Sequence, residues 1–409
     1  APGTIAPVLA SVIAVALVLV AWSLLARRLE RWRVTAPMFL VLAGIAVGLC
    51  TQDVLVESLN TDAAQRAAEI ILAVLLFVDA TDIRGGLFGS QPRAAVRVLF
   101  IAMPLSLALS VALGLWLLPG LGWAVLLVIA CVVVPTDFAP APSVLRDERV
   151  PERVRDVLNV EAGYNDGIVS PLFIFALVLA GDRSHAATPM EALGSAVPQA
   201  VKAILVGVAI GAALAVLTNA AERRGEMTDQ SKRLILVAAP LLAYGSSLAI
   251  GGNGFVSAFV CGFAFNYLRR SQTIRAELEL LDDIGFLLSA GMWFVFGATA
   301  VLALTFGVSW GMLLFCLLAL TVVRLLPVAI AMLGSRFSWA ERLLIGWLGP
   351  RGTTSIVFGL LAFNVLAGED ERAVLMTMVI AVLGSVMLHG VGAPAAARAY
   401  RRSQTRLAG

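Results

Sequence analysis

Charge is what this sequence lacks. Of its 409 residues only 14% are Asp, Glu, Lys or Arg, while 60% are hydrophobic and the mean hydropathy is +0.92. A soluble globular protein carries about 25% charged residues, so the composition excludes that class and points to a polytopic membrane protein. Cysteine is scarce and unpatterned. Cys131, Cys261 and Cys316 fall inside apolar runs and Cys50 near the end of one, which excludes a disulfide framework or a zinc site. His185 lies in a polar connection and His389 near the end of the last apolar run, neither with metal-ligand company. The N-terminus has no basic segment ahead of its first apolar run, and arginines follow that run where a cleavage site would stand. No cleavable signal peptide is therefore expected.

What is present is a series of apolar segments. About 20 such residues span a bilayer, and on that ruler thirteen helices are expected, at 5–27, 35–50, 66–82, 96–118, 121–145, 151–180, 195–220, 231–250, 253–268, 276–303, 306–333, 339–366 and 372–397. Alternate connections then collect 24 of the 30 basic residues on one side, from Arg27, Arg28, Arg31 and Arg33 through to Arg398, Arg401, Arg402 and Arg406. The other side holds Arg66, Arg183 and Arg372, with acidic loops at 53–57 and 369–371. The positive-inside rule places the N-terminus outside and the C-terminus inside. A miscounted helix would scramble this alternation, so count and orientation support each other.

Two of the thirteen segments are interrupted. The fifth contains Val134-Pro135-Thr136-Asp137-Phe138-Ala139-Pro140-Ala141-Pro142, and the twelfth contains Gly349-Pro350-Arg351-Gly352-Thr353-Thr354. Proline removes a backbone donor and breaks a continuous helix. A single break is common in membrane helices. Two breaks in corresponding places, each with an ionisable residue, point to inverted six-helix repeats (helices 1–6 and 8–13 around helix 7) with a midplane binding site at the crossing.

The sixth segment carries Glu161-Ala162-Gly163-Tyr164-Asn165-Asp166-Gly167. A carboxylate at the centre of a spanning helix costs roughly 2.5–3.5 kcal/mol on insertion scales, so it must be paired, face a polar cavity, or do work. Glu161 and Asn165 share a helix face, and Asp166 lies about 100° further round. Asp166 has an adjacent amide but no adjacent base. Desolvation favours the neutral form of a carboxyl group, so this position suits exchange of a proton for a small cation. Competition of the two ligands at one carboxylate suffices for antiport, provided the empty site does not readily change its facing. Asp137 at the first break either compensates the positive end of a half-helix or joins Thr136 and freed carbonyls in offering hard oxygens to Na⁺ or Li⁺. Arg351 at the second break needs an anion, and Glu161 is its natural partner in an architectural ion pair. Arg324 has Asp283, Asp79 or backbone carbonyls as candidate partners, and acts as a support. Asp79 is either an interfacial acid or part of the ion path. Lys202 lies near an outer helix end and snorkels to the headgroups.

These segments resemble, in order and over most of the chain, the sodium/proton exchangers of the monovalent cation:proton antiporter family. The family's Thr-Asp-Pro stretch is similar to Thr136-Asp137-Phe138, its Glu-Ser-x-x-Asn-Asp-Gly to Glu161 through Gly167, and its Gly-Leu-Arg-Gly break to Gly349-Pro350-Arg351-Gly352. Asn253 through Gly262 and Asp79-Ala80 also match. The resemblance implies an all-α fold of thirteen helices in a single transmembrane domain, residues 1–409. Its mobile core helices would lie at about 96–180 and 306–397, its remaining helices would serve dimerisation and scaffold, and the protein would be a homodimer. It implies Asp166 as the carrier of cation and proton, Asp137 and Thr136 at the crossing, Asn165 beside the carrier, Asp79 near the path, and a Glu161–Arg351 pair. The Asn-Asp pair is similar to the electroneutral branch, which exchanges one proton per cation. Ala162 stands where relatives have a serine that gives oxygen to the ion, and Phe138 where they have proline. The chain ends shortly after the thirteenth helix, so no soluble regulatory domain is expected.

The function expected is antiport of Na⁺ or Li⁺, with K⁺ as a further candidate, against H⁺ at Asp166. No enzyme activity, cofactor or nucleic-acid partner is expected. A sodium-coupled organic-anion symporter on a similar broken-helix scaffold is the alternative, and would need an uncompensated positive charge in a larger cavity. An intramembrane aspartyl protease using Asp137 and Asp166 is disfavoured because its flanking motifs are missing, and a channel would differ by flux turnover.

Overall fold

A computed structural model describes residues 5–32, 34–50, 61–83, 88–139, 141, 145, 147–181, 189–271 and 273–408. The acidic loop at 53–57, Arg33, Arg84, Arg146, Arg183, His185, Pro140 and Pro142 lie outside the described residues. Among the described residues the chain forms fourteen helices and no strand. They are α1 (Ile5–Arg31), α2 (Ala36–Cys50), α3 (Asp62–Thr81), α4 (Pro92–Leu117), α5 (Trp123–Val133), α6 (Glu152–Gly181) and α7 (Pro189–Arg223). There follow α8 (Asp229–Ala249), α9 (Gly254–Leu268), α10 (Ile274–Thr305), α11 (Trp310–Ala331), α12 (Trp339–Trp347), α13 (Thr353–Val365) and α14 (Glu369–Ala408). Seven of these are long and apolar enough to cross a membrane, and α2, α5, α9 and α13 are shorter apolar helices.

Each expected segment contains a helix, and the twelfth contains two, α12 and α13, either side of Pro350. The fifth is shorter than expected because α5 stops at Val133, ahead of Pro135. Two irregularities were not anticipated. A π-helical turn interrupts α4 at Val98–Ala102, and α11 breaks at Thr321, whose φ of −121° and ψ of −82° are not helical. Helix starts carry the chemistry that orphan backbone N–H groups require. Asn253 Oδ1 accepts from Phe255 N–H and Val256 N–H at the start of α9, and Ser338 with Glu341 forms a capping box on α12.

In lipid there is no hydrophobic force between helices, so close backbone approach through small residues carries the packing. The α2–α10 contact uses Gly44 and Gly48 on one side and Gly297 on the other. A Cβ at Gly44 would collide with Phe294 O and one at Gly297 with Val41 O. Likewise α7 meets α9 through Gly207 and Gly211, set against Ser257 O and Cys261 O. A second body of contacts brings α5 against α6, α13 and α14, with α3 packed against both α6 and α13. This second group holds the two broken segments.

Candidate functional site

The site is built where the two unwound segments meet. Asp137 N–H donates to Pro350 O at 2.8 Å, joining the chain after α5 to the chain between α12 and α13. The half-helix ends created there are each met by a side chain of opposite charge. At the N-terminus of α13, Thr353 N–H donates to Asp137 Oδ2 at 2.6 Å, while Asp137 Oδ1 accepts from Ala139 N–H at 2.7 Å. A Cβ at position 352 would collide with this carboxylate, so Gly352 is what lets Asp137 reach the helix end. At the C-terminus of α5, Arg351 Nε donates to Val133 O, Nη1 to Gly349 O, and Nη2 to Ala319 O at 3.2 Å. Anion on the positive end and cation on the negative end is the arrangement the helix dipole favours. Asp137 therefore performs the dipole-compensating job, and since a carboxylate has about four acceptor sites, it also retains lone pairs toward the cavity it lines.

This corrects the expected Glu161–Arg351 pair. Glu161 is held by Arg324 instead, through Nη1–Oε1 at 2.5 Å and Nη2–Oε2 at 2.9 Å, with both side chains under 10% exposed. Arg324 also donates to Ile345 O at 3.1 Å and Leu348 O at 3.3 Å. The physical reason is competition for donors: carbonyls at the end of α5 (Val133), in the α12–α13 break (Gly349) and just ahead of the α11 break (Ala319) consume the Arg351 guanidinium, leaving Arg324 as the fork aligned with Glu161. Arg324 is thus the architectural support, and the pair ties α6 to α11.

On the other side of the crossing lies a cavity of about 290 Å³. Asp79, Asp82, Asp137 and Asp166 line it together with Thr136, Asn159, Ser289, Thr353 and Thr354, and among the described residues no Lys or Arg does. Asp82 at its mouth is exposed and Phe286 is half exposed, so the cavity opens at the end of α3 that leads to Arg93 and Arg97. It ends on Asp166, which is buried. Asp166 Oδ2 accepts from Thr354 Oγ1–H at 2.5 Å, and Oδ1 is a buried acceptor without a hydrogen-bond partner. Asn165 Nδ2 donates to Thr136 O at 2.7 Å and to Thr136 Oγ1 at 2.9 Å, leaving Asn165 Oδ1 buried and likewise unpartnered. Two turns beyond Asp166 on α6, Phe173 stacks on Phe358 of α13 at 4.2 Å and 9°, both fully buried.

The structure thus brings Asp79, Thr136, Asp137 and Asp166 to one cavity, with Asn165 behind Thr136. Glu161, Arg324 and Arg351 lie on the opposite side of the crossing. Among the described residues no three His, Cys, Asp or Glu side chains converge to hold a metal ion. Lys202 Nζ donates to Ile250 O at 3.0 Å, a contact with the chain just past the end of α8. His389 binds Trp347 O through Nε2 at 3.1 Å, meeting the last carbonyl of α12. Sequence reasoning passed over Thr353, Thr354, Ser289 and Asn159. The available signal was a pair of hydroxyls directly after a glycine–proline break in an otherwise apolar run.

Comparison with known proteins shows the family. The sequence profile described as "Sodium/hydrogen exchanger, transmembrane" matches residues 13–399. The K(+)/H(+) antiporter NhaP2 of Shewanella baltica is 24% identical over 379 residues, which is 90% of this chain and 63% of the relative. The Na(+)/H(+) antiporter of Schizosaccharomyces pombe is 26% identical over 318 residues, covering 74% of this chain and 67% of that protein. This chain therefore spans somewhat under two thirds of the length of the first of these. Among solved structures, the sodium proton antiporter MjNhaP1 of Methanocaldococcus jannaschii at pH 8 superposes with a TM-score of 0.79 at 21% identity, over 96% of this chain and 99% of that one. With the profile matching nearly the whole length, the chain belongs to the transmembrane sodium/hydrogen exchanger family of monovalent cation:proton antiporters.

Proposed function

We propose that the chain is a secondary antiporter that exchanges a monovalent cation, Na⁺, Li⁺ or K⁺, for H⁺, with both ligands competing at Asp166. The observation that carries this reading is the cavity itself. Among the described residues four carboxylates and no basic side chain line it, and it ends on an unpartnered Asp166 oxygen. A proton satisfies that oxygen in one half of the cycle and a cation in the other. A single carrier carboxylate beside a neutral Asn165 supports exchange of one cation for one proton. The cavity opens toward the arginine-rich connections, so the conformation is one facing the cytoplasm under the positive-inside rule. The Phe173–Phe358 stack closes the outer path, and alternating access requires its opening.

Thirteen crossings, with an outer N-terminus and a cytoplasmic C-terminus in a bacterial inner membrane, complete the reading. Inverted repeats are supported by the crossing of α5 with the α12–α13 break, and by a second matched pair of irregularities, the π turn of α4 and the break in α11. The core helices at about 96–180 and 306–397 move against a scaffold that forms a homodimer. An organic-anion symporter is disfavoured, because Arg324 and Arg351 are both engaged by protein groups and, among the described residues, no positive side chain lines the cavity. The test is dequenching of a pH-sensitive dye in proteoliposomes with Li⁺, Na⁺ and K⁺ in turn, with and without an imposed voltage. D166N is expected to abolish cation-dependent proton flux while eluting as the same folded species. Retained exchange in D166N would overturn the assignment.

A further inference from the structure

Ala162 lies one helical turn before Asp166 on the same face of α6 and lines the cavity, but it offers only a methyl group. The opposite wall offers an oxygen. Thr354, the second residue of α13, is 3% exposed, and its Oγ1 lies 2.5 Å from Asp166 Oδ2. Thr354 is held there from its neighbour: Thr353 N–H donates to Asp137 Oδ2 at 2.6 Å, and Thr353 Oγ1 shares a hydrogen bond with Ser289 Oγ at 2.8 Å. A hydroxyl has one proton and two acceptor lone pairs. With its proton given to Asp166, the Thr354 oxygen still has a lone pair for an ion beside the free Asp166 Oδ1.

We propose that Thr354 is a cation-binding and selectivity-determining residue, its hydroxyl supplying from α13 the neutral oxygen that Ala162 on α6 does not. The inference rests on Asp166 being the carrier. An ion held this way bridges two helices, so its oxygen distances are fixed by the α6–α13 separation rather than by one flexible helix. Selectivity among hard cations depends on ligand number and cavity size. Loss of the Thr354 oxygen therefore penalises the smaller cation, which needs short contacts, more than the larger one.

The experiment is proteoliposome exchange with Li⁺, Na⁺ and K⁺ for the parent, T354V, T354S and the double variant A162S/T354V. T354V keeps the shape and removes the hydroxyl. It is expected to raise the apparent KM of the best-transported cation about 5- to 10-fold, the worth of one neutral hydrogen-bond-like contact, and to change the ratio between small and large cations. T354S should keep the parental ratio, and A162S/T354V, with the hydroxyl moved to α6, should recover it in part. A uniform fall in rate for all cations with unchanged KM and no recovery in the double variant would overturn the proposal, leaving Thr354 as packing. Should D166N itself retain exchange, the carrier assignment falls instead. The two failures are therefore distinguishable.

Discussion

The buried pair between Glu161 and Arg324 can be weighed directly against the Glu161–Arg351 pair that the sequence suggests. Removing one partner of a buried, bidentate ion pair leaves an uncompensated charge and costs about 3–5 kcal/mol. Both side chains are nearly inaccessible here and both forks are engaged at 2.5 and 2.9 Å, so solvent screening does little to reduce that figure. E161A and R324A should each lower the apparent unfolding midpoint substantially, followed by tryptophan fluorescence in detergent. The double variant should be far less damaged than the sum of the two, because its second substitution removes the orphan charge, with a coupling of about 0.5–3 kcal/mol. A parallel cycle of E161A with R351A should show weaker coupling, since the Arg351 guanidinium is bonded to Val133 O, Gly349 O and Ala319 O. Additive effects in the first cycle, or stronger coupling in the second, would refute the geometry.

Two further outcomes follow from packing and capping. G297V should force α2 and α10 apart and lower the unfolding midpoint. G291A on the same helix, where a Cβ meets nothing within 4 Å, should be neutral or stabilising by up to about 1 kcal/mol; equal effects would refute the close-approach argument. D137A should cost about 1–2 kcal/mol through loss of the α13 cap, with D137N milder because its amide oxygen still accepts an N–H. If D137A left the unfolding midpoint unchanged, the capping role would be wrong.

Much of the fold was legible because its signals are local. Apolar runs separated by arginine-bearing connections mark the helices, and Pro135 and Pro350 mark the two breaks. The carboxylates were legible because a charge in a lipid solvent must be accounted for. Arg351 was misassigned for a reason no spacing could reveal: its true partners are backbone carbonyls of Val133, Gly349 and Ala319, which carry no sequence identity and come together only in the folded chain. The turn in α4 and the break at Thr321 likewise escaped notice, for neither contains the glycine–proline signature. Thr354 was overlooked because a threonine near a helix start is ordinary. Its significance comes from Asp166, 188 positions away in sequence and 2.5 Å away in space.

The central claim is that a cation and a proton occupy Asp166 in turn, and binding linkage tests it without transport. In weakly buffered detergent solution, adding the transported cation to the purified protein should release protons in proportion to cation bound, because each ligand must displace the other. D166N should release none. Cation binding without proton release in the parent protein, or undiminished release in D166N, would contradict the account.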